Sequence, residues 1–332
     1  MRERLALVGD IGGTNARFAL TDLTMADPAP PELISPRAYH CADFPQLEDA
    51  VEQYLKDVGG PRPDAATLAV AGPVANGAIT FTNGGWTLSE AELKRRGFAF
   101  ARLINDFEAM ALGSVALGPG DVVRIGPDVA GQPGRPVMVV GAGTGLGVAG
   151  LAYGEGGAVA CATEGGHVSF APADEVEIGV LRVLMHRFGR VSLERLLSGP
   201  GLQNLYAALA EVEGRTDRMG APPSPDLITG RALDGSDPFC AAVVERFCAI
   251  LGTAAGDFAL GSGALGGVYI AGGIAPRILP LLKASRFRER FEAKGRFEAY
   301  MRPIPTAVIV HPYAALLGAR HALRMAERNR FG

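Results

Sequence analysis

The apolar positions of this chain fall into short continuous runs punctuated by glycine and into longer stretches with helical spacing. Leu5–Val8 reads as a buried strand, Gly9–Thr14 as a turn and Ala16–Leu20 as a returning strand. A loop is predicted over Asp27–Pro31. Leu47–Val58 carries its apolar residues at helical spacing and stops at Gly59-Gly60. Strands are predicted at Thr67–Ala71 and Ala78–Phe81, around a turn at Gly72-Pro73. Ser89 with Glu92 fits a capping box that opens a short helix to Arg96. Ala101–Ile104 is the next strand, with Asn105-Asp106 at its carboxyl end and a helix over Phe107–Leu117. The stretch Gly118–Pro136, rich in Gly and Pro, reads as a passage between domains.

The pattern then repeats. Val137–Val140 is an apolar run, Gly141–Gly147 a glycine turn and Val148–Tyr153 a returning strand, so each half of the chain opens on the same unit. Helical spacing follows over Glu175–Arg187, Ser192–Leu197, Leu202–Glu213 and Pro238–Leu260, with Gly199 suited to cap the second of these at its C-terminus. Gly214–Asp226 reads as a polar loop. Val268–Ala271 and Thr306–Val310 are strands, and Ala314–Arg328 is a final helix whose late arginines suit its C-terminus. Strands alternating with helices place the chain in the α/β class. Two domains are expected: residues 1–116 with 311–332 as a smaller α/β domain, and 117–310 as a larger one.

Composition narrows the chemistry. With 332 residues, 48% hydrophobic and 20% charged, the chain has a globular profile. A net charge of −3 gives no electrostatic support for a nucleic-acid or anionic-membrane partner. The uncharged stretches are interrupted by glycine and proline, unlike a membrane span. Cys41, Cys161, Cys240 and Cys248 are scattered without a C-x-x-C pair, which argues against zinc and disulfide frameworks and fits a reducing cytoplasm. Glycine is the outlier, at 45 residues or about twice the usual share.

Several glycine-rich segments carry candidate chemistry. In Asp10-Ile-Gly-Gly-Thr14 the backbone N–H groups of two glycines form a concavity that suits phosphate oxygens. Asp10 would repel a bare phosphate, but Mg²⁺ between them reconciles the two; the same segment also fits an ordinary hairpin turn. Gly141–Gly147 is a second such turn without an acid. A dinucleotide helix should follow a Rossmann loop, whereas a strand follows this one. The glycine pair in Ala271-Gly-Gly-Ile274 would admit a flat ligand such as adenosine, or make a tight turn. Asp106, at a strand's carboxyl end, is placed to accept a proton from a hydroxyl nucleophile, and Asn105-Asp106 is equally placed to cap a helix. Glu164 and His167 flank two glycines, which suggests ligand contact in a flexible loop. Glu194 by itself is a helix-start carboxylate.

Taken together, Asp10–Arg17, Ile104–Phe107, Gly141–Gly147, Glu164–His167, Leu197–Leu202 and Ile270–Ile274 resemble the bacterial glucokinases, in that family's order and spacing, over residues 5 to about 320. The resemblance implies a two-domain ribonuclease-H-like/actin-like ATPase fold with a central inter-domain cleft, and ATP-dependent phosphorylation of D-glucose at its 6-hydroxyl. It implies Asp106 as general base, and Asn105, Glu164, His167 and Glu194 as holders of sugar hydroxyls. Gly9, Asp10, Ile11, Gly12, Gly13 and Thr14 would meet phosphates, with Mg²⁺ at Asp10, directly or through water. Gly143 and Thr144 would form the second phosphate loop, and Gly272 and Gly273 would flank adenosine. A homodimer is implied too. Related repressor-type kinases carry a zinc motif near the Glu-His segment that this sequence lacks. Three other readings stand beside it: a kinase for another hexose or an amino sugar, a non-catalytic sugar sensor, and an ATPase machine. A first phosphate loop at residue 9 leaves no room ahead of it for a helix-turn-helix.

Overall fold

Among the described residues, seven strands form before residue 106: β1 (Leu5–Ile11), β2 (Asn15–Asp22), β3 (Ile34–His40), β4 (Ala65–Val70), β5 (Ala78–Thr80), β6 (Thr87–Ser89) and β7 (Phe100–Asn105). The computed structural model describes residues 4–24, 32–80, 86–154 and 157–331; the loop expected at Asp27–Pro31, and Phe81, lie outside these. Five strands make one sheet in the order β3-β2-β1-β4-β7, and β5 pairs with β6. β1 and β2 are an antiparallel hairpin with Asp10 opposite Arg17. β1, β4 and β7 run parallel, so Ile11, Val70 and Asn105 end side by side. Every residue of β4 is buried, as a central parallel strand requires. Its Leu68, with Leu7, Ile11 and Phe18 of the neighbouring hairpin, shares a core with Leu47, Val51 and Tyr54 of the helix Leu47–Val58.

The chain divides into two compact units, one of Met1–Asp121, Ala158–Ala162 and His311–Gly332, the other of Val122–Gly157 and Thr163–Val310. In the first, the C-terminal helix Ala314–Phe331 packs Leu316 and Ala319 against Val8 and Ala19 of the sheet. It also crosses the helix Asp106–Gly113 at backbone contact. A Cβ on Gly318 would meet the Ala109 carbonyl, and one on Gly113 the Ala314 carbonyl. Both glycines are buried.

The second unit repeats the arrangement. Its strands are β8 (Val122–Arg124), β9 (Val137–Ala142), β10 (Leu146–Gly154), β12 (Gly267–Ala271) and β13 (Thr306–Ile309), in the order β10-β9-β12-β13-β8, while β11 (Gly157–Thr163) falls mostly within the segment Ala158–Ala162 assigned to the first unit. Again a hairpin, β9-β10, is followed by strands parallel to its first arm. The helix Pro238–Ser262 lies in the core beneath, with Phe247, Leu251 and Ala255 fully buried. Among the described residues it is the one helix long and apolar enough to cross a membrane, and most of it is buried in this unit. Glu177, with no exposed surface, accepts two hydrogen bonds of 2.9 Å from buried Arg290 and one of 3.1 Å from Arg246.

Two expectations need correction. Ser192–Leu197 is not a helix but a single tight turn, Leu193–Arg195. Gly199 is therefore no C-cap; it opens the helix Gly199–Val212, because the Ser198 hydroxyl caps that helix by accepting from the Gly201 amide at 3.0 Å. The loop expected to run to Asp226 ends sooner, since Ser224 caps a helix beginning at Pro225. β3, β8 and β11 and the short helices after Ile274 were not predicted; they are brief and lack sustained periodicity.

The helix crossing yields a test with an inverted sign. Gly→Ala in a helix interior normally gains ~1 kcal/mol. Here the added methyl meets backbone that has no rotamer to yield, so Gly318→Ala is expected to lose about 2–3 kcal/mol in denaturant unfolding. An unchanged or higher midpoint would contradict the close crossing.

Candidate active site

In the first unit the chemistry gathers at the carboxyl edge of β1, β4 and β7. The β1–β2 turn closes with the Gly12 amide donating to Asn15 at 2.9 Å, and the Ala71 amide after β4 donates to Ile11 at 2.9 Å. Asn105 ends β7 and caps the helix Asp106–Gly113. Its Oδ1 accepts from the Phe107 and Glu108 amides at 2.9 and 3.2 Å, and its Nδ2 donates to the Gly72 carbonyl at 3.2 Å. The cap reading is thus realised.

Asp106 follows at the first helical position, where it accepts from the Phe107 amide at 2.9 Å. Burial, then the charge on Asp10, push its carboxyl up to about 6, against the lowering effect of backbone hydrogen bonds and Asn105. Asp10 pairs with its cross-strand partner Arg17 at 3.1 Å. Burial still raises the Asp10 carboxyl above the usual range, more than Arg17 lowers it. Two repelling, partly buried carboxylates, of which Asp10 alone is paired with a guanidinium, form an edge that fits a divalent cation. Among the described residues no group of three or more His, Cys, Asp or Glu could cage a metal, so Mg²⁺ here would take its remaining ligands from water or phosphate.

Gly9 and Ile11, expected near phosphates, are buried in β1. A Cβ on Gly9 would lie 2.6 Å from Leu68, and Ile11 has no exposed surface. They shape the strand, while Gly13 and Thr14 stand exposed at the turn's tip and nothing lies within 4 Å of a Cβ built on Gly13.

The second unit holds the corresponding turn, Gly143–Gly145, closed by the Gly143 amide donating to Gly145 at 2.9 Å. Gly143 is open and Thr144 exposed. Beside it, Glu164 Oε2 stands 4.0 Å from His167 Nε2, and His167 Nδ1 stands 4.0 Å from Glu194 Oε1. Three of the four residues expected to hold a sugar, Glu164, His167 and Glu194, are therefore brought together. Both gaps exceed the ~2.7–3.2 Å of a direct hydrogen bond and leave each group free to bond a shared hydroxyl. The glycines between Glu164 and His167 are not the flexible pair expected. They are buried because Gly165 lies against Val148 and Gly166 against the Leu146 carbonyl, so the loop is pinned to β10. Gly272 is likewise required by its φ of 81° and its contact with Ala142, whereas Gly273 is open.

Sequence reasoning gave no role to Arg17, although its cross-strand position opposite Asp10 follows from the hairpin. It also missed Arg190, which donates to the His167 carbonyl at 2.6 Å, and for that contact the sequence holds no signal.

The glucokinase family model matches residues 7–326. A glucokinase of Caulobacter sp. strain K31 is 53% identical over 321 residues, 96% of this chain and 95% of its own. The solved glucokinase from an Antarctic psychrotroph is 38% identical with a TM-score of 0.87, covering 97% of this chain and 99% of its own. A ROK-family glucokinase from Streptomyces griseus, solved with glucose and AMPPNP, shares the fold at 19% identity and a TM-score of 0.62, covering 99% and 100%. With sequence likeness over nearly its whole length and an actin-like ATPase fold in common, this chain belongs to the glucokinase family.

Proposed function

We propose that this protein transfers the γ-phosphoryl group of ATP to the 6-hydroxyl of D-glucose, with Asp106 as general base. The observation that carries this reading is the Asp106 carboxyl, raised to about 6 at a strand's carboxyl edge beside Asp10. Such a group is ionised at neutral pH yet basic enough to take a proton from an alcohol as its bond to phosphorus forms. Family membership supports the reaction, as do the glucose and AMPPNP bound to the S. griseus enzyme.

Phosphoryl transfer depends mainly on positioning and charge stabilisation. Glu164, His167 and Glu194 would hold the sugar by its hydroxyls, with Asn105 as a further partner, so that the 6-hydroxyl lies ~3 Å from phosphorus. Gly12, Gly13 and Thr14 in one unit, and Gly143 and Thr144 in the other, would meet the phosphates through amides and hydroxyls. Gly272 and Gly273 would border the adenosine. Mg²⁺, held by Asp10 directly or through water, would neutralise phosphate charge. The two units are the two domains of this reading. The setting we propose is a cytoplasmic homodimer, a compartment consistent with four unpaired cysteines.

A coupled assay across glucose, mannose, fructose, glucosamine and N-acetylated amino sugars is expected to show glucose preferred; preference for another sugar would overturn the substrate assignment. Asp106→Asn is expected to lower kcat by about 10²–10⁴-fold while glucose binding persists. The same variant should gain stability at pH 8. The folded Asp106 has a raised pKa, so its ionisation disfavours the fold as pH rises through about 6. A Tm gain of about 2–4 °C is expected at pH 8, vanishing below pH ~4, where both folded and unfolded carboxyls are protonated. For the wild type, kcat/KM should fall as pH drops below about 6. Removing the neighbouring charge with Asp10→Asn should move that acid limb of the residual activity to lower pH. A limb that stays or moves upward would remove Asp10 as a cause of the shift.

A further inference from the structure

The turn assigned to phosphate and the carboxylate assigned to sugar are joined within the second unit. The Leu146 amide, immediately after Gly145, donates to Glu194 Oε2 at 2.9 Å. The other oxygen of the same carboxylate, Oε1, faces His167 at 4.0 Å. Gly145 is shaped to this arrangement, since a Cβ there would lie 2.5 Å from Glu194 Oε2. The segment holding Glu194 grips the turn a second time. The Ser198 hydroxyl donates to the Glu194 carbonyl at 2.8 Å, and the Gly199 amide donates to the Gly143 carbonyl at 2.8 Å.

We propose that Glu194, beyond any sugar contact, is a positioning residue for the nucleotide turn. Its Oε2 fixes the Gly143–Gly145 backbone through Leu146 while its Oε1 is presented to the sugar, so nucleotide and sugar affinity pass through one side chain. The inference rests on the sugar and phosphate assignments proposed above. Its physical basis is that a hydrogen bond to an ionised carboxylate is roughly twice as strong as a neutral one. Removing that acceptor leaves the amide of nearly buried Leu146 unpaired, and the turn must distort or admit water to satisfy it. A carboxylate oxygen bonded to the turn also cannot swing toward the sugar, which fixes the direction in which Oε1 meets a hydroxyl.

Calorimetric titration of the full chain with Mg-AMPPNP alone, and separately with D-glucose alone, tests this. Glu194→Ala is expected to weaken both ligands, AMPPNP by about 10-fold or more, the loss of one such hydrogen bond. Glu194→Gln keeps an oxygen able to accept from Leu146, so AMPPNP affinity should stay within about 2-fold while glucose weakens by about 10-fold or more. Gly145→Ala, which adds a methyl on the nucleotide side, should weaken glucose by displacing the carboxylate. If Glu194→Ala weakens glucose but leaves AMPPNP unchanged, the positioning role is overturned and the sugar assignment survives. If AMPPNP weakens equally in Glu194→Ala and Glu194→Gln, acceptance from Leu146 is not the cause and the proposal fails. If glucose binds normally to both variants, the sugar assignment itself falls.

Discussion

Two carboxylates are placed by strand register on one edge of a parallel sheet, and the first unit is arranged around that electrostatic cost. Asp10 pairs across β4 with Ala69, and Asn105 with Val70, so only one apolar strand separates the two acidic positions. Neighbouring strands lie ~4.8 Å apart, so β1 and β7 are only about 10 Å apart across β4, close enough for charges to sense each other where water is scarce. β4 offers no cation to stand between them, because its residues Ala65–Val70 are all buried and uncharged. Arg17 answers Asp10 from the opposite side of the hairpin, while Asp106 depends on amides at the start of its helix. The balance leaves Asp106 basic without keeping it protonated at neutral pH. A group packed as loosely as a surface aspartate would lack that basicity, and one buried without amides would stay neutral.

The helix that begins at Asp106 owes its position to the crossing with the C-terminal helix. At Gly113 and Gly318 the two backbones meet with no side chain between them, so residues more than two hundred positions apart in sequence set the direction of the helix that carries Asp106, the proposed base. Glycine serves different purposes elsewhere. Gly9, Gly165 and Gly166 permit close packing, Gly272 a left-handed turn, and Gly13, Gly143 and Gly273 leave backbone uncovered. One composition figure, the high glycine content, thus concealed several physical demands that only neighbouring atoms distinguish.

This separates what the sequence could disclose from what it could not. Both hairpins, the alternation of strand and helix, and the ends of Leu47–Val58 were legible, because periodicity and glycine punctuation are local signals. So was the capping by Ser89, whose hydroxyl accepts from the Glu92 amide at 3.1 Å. Gly199 was misread because a glycine after an apolar run suits a helix end, while the deciding contact, Ser198 capping Gly201, concerns the helix that follows. Arg190 and the buried Glu177–Arg290 pair were illegible for a different reason: their partners lie 23 and 113 residues away, and no local rule relates such positions. In the candidate site, residue types were readable from motif resemblance, whereas the tie from Glu194 to Leu146 spans 48 residues and required coordinates.

The groups proposed for acid–base chemistry and for sugar recognition are also built on opposite principles. Asp106 is partly buried and its basicity is set by that burial, whereas the side chains of Glu164 and His167 are 72% and 57% exposed. Exposed groups keep their water until a ligand replaces it, so their net gain from one hydroxyl is small. Discrimination must then come from placing several of them at once, and an analogue missing one hydroxyl leaves a group that has lost its water without a replacement. Such placement demands a rigid base. Gly165 and Gly166 press the loop onto β10, Arg190 holds the His167 carbonyl, and Leu146 anchors Glu194. The side chains stay wet and the backbone beneath them is fixed, which is the combination that lets weak individual contacts select one arrangement of hydroxyls.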